Sequence, residues 1–172
     1  NEVDMFEDKL GTYLVKISGK NLSPEEGHTV SMLLHSLNDF ERISDHAVNI
    51  LDAAKELYEK EISFSEIGLN EIRVYTDAVS EILDITMKAF DNMDKSLAVT
   101  VEPLEDVIDD LNIEIKEKHI KRLRTGACTT ELGFILSDMS TSFERIADHC
   151  SNIAIYVLQA DQEEMDPHNF LL

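Results

Sequence analysis

The chain has 172 residues and 43% hydrophobic content, the size of one ordinary domain and enough apolar material for a real core. Its 35 acidic and 15 basic residues give a formal net charge of −20, which repels a phosphate backbone or an anionic lipid surface and argues against nucleic acid as a partner. Apolar runs are a few residues long, far short of the roughly 18 to 20 needed to cross a bilayer, and the opening Asn1-Glu-Val-Asp-Met-Phe-Glu-Asp-Lys has no signal-peptide progression.

Breaker clusters divide the chain into five helical stretches. The first, 2–18, begins at the very start of the sequence, so the chain is expected to be a piece of a longer parent. Gly19-Lys-Asn-Leu-Ser-Pro then supplies a Ser23 cap and Pro24 at a first helical position, opening a stretch over 24–60. Ser63 and Ser65 offer caps for a third over 65–96, Pro103 opens a fourth over 103–124, and Gly126 with the threonines after it separates that from a fifth over 129–160. The polar tail 161–172 is expected to fray. Apolar residues recur at spacings of three and four in Phe40, Ile43, Ala47, Ile50, Ala54 and Leu57, in Phe143, Ile146, Cys150, Ile153 and Val157, and in Leu104, Ile108, Leu111 and Ile115. Ile72, Tyr75, Val79, Ile82 and Met93 form the matching stripe of the third stretch. No run competes as a strand, because Ala98-Val-Thr-Val is too short and isolated, so the expected class is all-α.

The second and fifth stretches share an internal repeat. Asn38-Asp-Phe-Glu-Arg-Ile-Ser-Asp-His-Ala-Val-Asn-Ile50 returns as Thr141-Ser-Phe-Glu-Arg-Ile-Ala-Asp-His-Cys-Ser-Asn-Ile153, identical at eight of thirteen positions. Within it Glu41 and Asp45, and again Glu144 and Asp148, lie four apart and project from one side of their helices. Glu105 and Asp109 form a third such pair on the preceding stretch. Counted from Phe40 and Leu104, these acids fall roughly opposite the seam, on an outward face. Two readings are open there: a solvated charged face with ion pairs such as Arg42 to Asp45, or oxygen ligands for a hard or borderline cation if two helices bring them together. Retention of Glu, Arg, Asp, His and Asn in both copies favours a shared purpose.

The two copies of Phe-Glu-Arg-Ile-x-Asp-His resemble the repeated motif of PhoU-type phosphate-regulatory proteins, and Pro103-Leu-Glu-Asp-Val-Ile-Asp-Asp-Leu-Asn resembles the helix that precedes it. The likeness covers nearly the whole chain. It implies one all-helical domain of antiparallel bundles in two pseudo-symmetric repeats, about 1–60, truncated at its N-terminus, and about 65–160. It also implies multinuclear surface clusters of iron or zinc on the acidic motifs, and no organic cofactor. Carried over by position, one site is Glu105, Asp109, Glu144 and Asp148, and the other is Asp4, Glu41 and Asp45, where the acid expected before Asp4 would precede Asn1. The glycine usual within the motif is Ser44 and Ala147 here.

The implied role is regulation of phosphate uptake without catalysis. Leu22-Ser-Pro-Glu-Glu-Gly-His further resembles the cytoplasmic PhoU-like domain of bacterial sodium/phosphate cotransporters. That places the domain in the cytoplasm, free or on the cytoplasmic side of the inner membrane, with the transporter's membrane domain or a signalling protein as partner and a homo-oligomer as the expected assembly. Two alternatives stay open: a carboxylate-bridged di-metal enzyme or metal-storage bundle, for which only Glu25 and His28 have the Glu-x-x-His spacing, and a metal-free helical adaptor. His46 and His149 read as packing residues, and Arg42 and Arg145 as orienters of the carboxylates. Cys150 reads as a core residue, Cys128 as a turn thiol with no activating neighbour, and His28, His35 and His119 as side chains without evident partners.

Overall fold

The helix signals act at the backbone nearly where the sequence places them. A computed structural model describes residues 2–160 as α1 (Glu2–Ser18), α2 (Pro24–Glu59), α3 (Glu66–Asn92), α4 (Lys95–Ala98), α5 (Val101–Arg124) and α6 (Thr130–Gln159). The tail expected to fray lies outside the described residues. Among the described residues there is no strand, and no helix is long and apolar enough to cross a membrane. Ser23 and Glu26 form a reciprocal capping box that satisfies two otherwise orphaned amides at the start of α2. Ser65 caps α3 and Thr129 caps α6. Gly126, at φ 70°, takes the left-handed conformation that ends α5, with the Ala127 amide reaching back to the Arg122 carbonyl at 2.9 Å.

Two boundaries differ from the expectation. The third stretch stops at Asn92 because Met93 turns left-handed at φ 51° and Asp94 accepts from the Ser96 and Leu97 amides, capping the one-turn α4. Met93 is therefore exposed and leaves the stripe. α5 begins at Val101 instead of Pro103: Val101 is fully buried, and proline is tolerated in a first turn, where its missing N–H has no intrahelical acceptor.

α6 buries a broad face of apolar and small residues, and it is covered on several sides at once. It packs against α2, α3, α4 and α5, whereas α1 packs on α2 alone. Phe143, Ile146, Cys150, Ile153 and Val157 are all buried, so the seam expected of this helix is present in full. Tyr75 of α3 meets Phe143 edge-on at 5.0 Å and donates its hydroxyl to the Ser140 carbonyl at 3.3 Å. Burial of each large side chain along this helix contributes about 1.5–3 kcal/mol. Arg122 of α5 grips Glu71 of α3 through both its terminal nitrogens, at 3.0 and 2.8 Å, and Lys60 ties the end of α2 to Glu131 at the start of α6.

The two copies of the repeat are not buried alike. In α6 the face carrying Cys150, Ala154 and Val157 is covered, while the matching Ala47, Leu51 and Ala54 of α2 are exposed. The seam of α2 instead passes through Met32, Ser36, Asp39, Ile43, Ile50 and Ala53, so Ala47 and Ala54 are not the core positions the periodicity gave them. Among the described residues α2 packs on α6 and α1 alone, and neither covers that face. Matched substitutions measure this asymmetry. Ala154→Lys should destabilise by about 3 kcal/mol or more by burying a charge, whereas Leu51→Lys, at a side chain 54% exposed, should stay within about 0.5 kcal/mol in urea unfolding.

Candidate carboxylate site

α5 and α6 pack side by side, and this brings Glu105 and Asp109 of the former to Glu144 and Asp148 of the latter. The seam of α5 passes through Ile108, Asn112, Ile115 and His119, all buried. Glu105 and Asp109 lie three residues before Ile108 and Asn112 and therefore flank the seam. All four acids are half-buried, not outward-facing as the angle from Leu104 predicts. Leu104 is only half-buried, at the edge of a broad contact stripe, and a helix packed against several neighbours covers its flanks as well as its centre.

Burial and mutual repulsion both act on these carboxyls. Glu105 is pushed up to about 7, first by burial and then by Asp109, Glu102 and Asp148. Asp109 is raised by burial and by Glu144 and Asp148, and its Oδ1 is buried without a hydrogen-bond donor. The other two acids have partners: Asn112 Nδ2 donates to Glu144 at 2.5 Å, Lys116 stands 3.9 Å from the same carboxylate, and Arg145 donates to Asp148 at 3.0 Å. Ser151 donates to Glu102 at the border of a cavity of about 670 Å³ that Glu105, Asp148 and Arg145 also line.

The first-copy acids assemble in the same sense between α1 and α2. Glu41 is raised by burial and by Asp45, with Arg42, 3.6 Å away, opposing the shift and exposed Asp4 of α1 adding to it. An all-oxygen donor set of this kind suits hard or borderline cations, and the undonated Asp109 Oδ1 is the atom most in want of one. Among the described residues, however, no three His, Cys, Asp or Glu side chains stand around a single point as ligands would. The residues suit a cation in kind, and holding one requires side chains to turn, with Asp148 and Glu144 released from Arg145 and Asn112.

Between the two copies lies a polar network that the sequence did not reveal. His149 Nδ1 is 2.7 Å from Asp39 Oδ1, Asn152 donates to the same oxygen at 3.2 Å, and Asp39 is only 3% exposed. His46 stacks on His149 with ring centroids 5.9 Å apart, so these two equivalent histidines pack against each other across α2 and α6. Burial and its partner ring hold His46 below the usual imidazole range. His35 lies 5.6 Å from the Tyr156 ring, and His119 approaches Cys128, so neither is the solitary side chain expected of it. Asn112 and Asp39 carried a readable signal, since each is polar at a seam position. Glu25, the acid of the di-metal alternative, is exposed in the first turn of α2.

Such an arrangement defines a class: a helical bundle with a duplicated acidic motif at helix junctions, its paired histidines used in packing. The chain belongs to the PhoU domain family, whose sequence profile matches residues 1–54 and 72–157, taking in both copies of the motif. It is 29% identical over 126 residues to the phosphate-specific transport system accessory protein PhoU homolog 1 of Thermotoga maritima, an alignment covering 73% of this chain and 53% of that protein. It is 22% identical over 125 residues to the PhoU homolog of Deinococcus radiodurans, covering 73% and 57%. The chain thus spans about half the length of these curated relatives. The crystal structure of PhoU from Pseudomonas aeruginosa superposes with a TM-score of 0.86 at 22% identity, over 92% of this chain and 76% of that one, showing that the fold is the same.

The raised Glu105 has a sign that can be checked. Between its ordinary value of 4.5 and about 7, the folded chain keeps a proton that the unfolded chain releases, so this group's contribution to stability falls as pH rises through that window. In chelator-treated protein, Glu105→Gln should therefore be more stable than the parent by about 1–2 kcal/mol at pH 8 and near parity at pH 4. Urea unfolding at the two pH values measures the difference, and an equal or lower stability of the variant at pH 8 would contradict the assignment.

Proposed function

We propose that this chain is a non-enzymatic regulatory domain controlling phosphate uptake, joined to a sodium-dependent phosphate transporter on the cytoplasmic side of the membrane. The observation that carries the reading is the family match running through both copies of the acidic motif. Relatives named as accessory proteins of phosphate-specific transport support the process, and the Leu22-Ser-Pro-Glu-Glu-Gly-His opening of α2 supports the sodium-coupled setting. The partner is then the transporter's membrane domain or a signalling protein, and a second copy of the chain completes the assembly. A regulator of this kind acts by binding its partner differently in two states.

In this reading Glu105, Asp109, Glu144 and Asp148 bind iron or zinc, with Asp4, Glu41 and Asp45 as the weaker second site. A bound cation would supply positive charge to a cluster that repels itself, and would displace the proton held on Glu105. A second reading, a metal-free adaptor, is favoured by the partners already present on Glu144 and Asp148 and by the lack of any three converging ligands among the described residues. The two are separated by elemental analysis and calorimetry after reconstitution with iron or zinc. Metal should bind to the parent chain with proton release and be lost from Glu144→Ala/Asp148→Ala. Equal, near-zero metal in both would leave the adaptor. The regulatory claim is tested in cells: sodium-driven phosphate uptake should lose its response to external phosphate when the domain is deleted, and uptake unchanged in rate and response would refute it.

A further inference from the structure

The turn between α5 and α6 places a thiol against an imidazole. Cys128 Sγ lies 3.6 Å from His119 Nδ1 and 4.0 Å from Nε2. His119 is only 4% exposed, and its ring seat is tailored: a Cβ on residue 133 would lie 2.8 Å from Nε2, so glycine is required there for the ring to fit. Burial, and next to it the Arg122 charge, hold the imidazole below its usual range against the opposing pull of Glu71, so at neutral pH it is an uncharged base. Cys128 is half-buried and has solvent access, and no disulfide engages it. The last turn of α5, just before the thiol in sequence, carries Lys121, Arg122 and Arg124, a basic stretch in a strongly acidic chain. His119 also lines a groove of about 340 Å³, at the border of core and solvent.

We propose that Cys128, with His119 as its base, is a site of mixed-disulfide formation with small-molecule disulfides. His119 accepts the Sγ proton, and the thiolate attacks one sulfur of the disulfide. The S–S bond breaks as the new one forms, and the departing thiolate takes the proton back from His119. The products are one mixed disulfide on Cys128 and one free thiol, with the Cys128 sulfur oxidised and the departing sulfur reduced. An adduct there sits where α5 turns into α6, so it acts on the junction between the two helices that carry the second-copy acids.

Cys150 is an internal contrast, fully buried with its thiol pushed up to about 12 by burial. Replacing it by alanine, the residue the first copy has at the matching Ala47, leaves one thiol to follow. The full chain carrying Cys150→Ala is treated at pH 7 with dithiodipyridine for rates and with oxidised glutathione for intact mass. One glutathione adduct is expected there and none on Cys128→Ser that keeps Cys150; no adduct on the Cys150→Ala chain, or an adduct on Cys128→Ser at a comparable rate, overturns the proposal. His119→Gln should slow the reaction about tenfold, less than the hundredfold or more of a well-aligned base because the contact is long. An unchanged or faster rate, with the thermal transition retained, overturns it as well. Should His119→Gln fail to fold, the Cys150→Ala chain decides alone: Cys128 must react about tenfold faster folded than in denaturing urea, and a slower folded reaction sinks the idea.

Discussion

Burial of α6 on several sides is the constraint from which the rest of the structure follows. A helix packed against α2, α3, α4 and α5 together can keep few polar residues, and those it keeps must meet partners or lie at the borders between neighbours. Glu144 and Asp148 lie at the border with α5, and His149 and Asn152 at the border with α2. The small residues Ser140, Ala147, Cys150, Ser151 and Ala154 let the surrounding helices approach closely enough for those borders to become half-buried grooves. The acids are perturbed because α6 is crowded, and the duplicated motif repeats the helix positions without repeating the crowding.

Much of this could be read from the residues. Ser23-Pro24, Ser65, Gly126 and Thr129 act by local chemistry, which a sequence carries in full, and the stripe of α6 is buried residue by residue. The expectations that failed depend on neighbours. Ala47 and Ala54 have the right period and lack a facing helix, so periodicity named a face and could not say whether anything covers it. The outward placement of the acids failed for the converse reason, since α5 and α6 each pack against more than one partner. Asp39 and Asn112 went unread because a polar residue in an apolar stripe looks like noise until its partner, over a hundred residues away in the case of Asp39 and His149, is known. The sequence did place Glu105, Asp109, Glu144 and Asp148 in one group through the repeat and the family resemblance, and their mutual electrostatic influence in the fold agrees with that grouping.

The Asp39, His149 and Asn152 network distinguishes the copies. At the positions where the second copy would supply an equivalent of Asp39 it has Ser142, so only one of the two stacked histidines has a buried carboxylate. His46 keeps a buried Nδ1 with no hydrogen-bond partner, the asymmetric counterpart of a satisfied His149. The contact between α2 and α6 is therefore one-sided, with His149 and Asn152 of α6 both meeting the buried Asp39 of α2. A buried carboxylate constrains the rotation of α2 against α6, because turning Asp39 away from these α6 groups would leave it buried and unpaired.

Clustered like charge has to be offset by something, and the second-copy groove offsets it unevenly. Arg145 and Asn112 serve Asp148 and Glu144 on α6, while Glu105 and Asp109 on α5 receive little beyond a raised proton affinity. The partnered acids thus sit on the α6 wall and the unmet acceptors on the α5 wall, while the donors come from both, Arg145 from α6 and Asn112 and Lys116 from α5. A groove evolved only for solubility would spread its acids over open surface, where water screens each of them at small cost. Half-burying four together, with one oxygen left undonated, stores repulsion that a proton, a cation or a basic partner residue can relieve. The acids that carry this repulsion are divided between α5 and α6. Relief of the repulsion therefore bears on the α5–α6 border itself, because that is where packing has placed the charges.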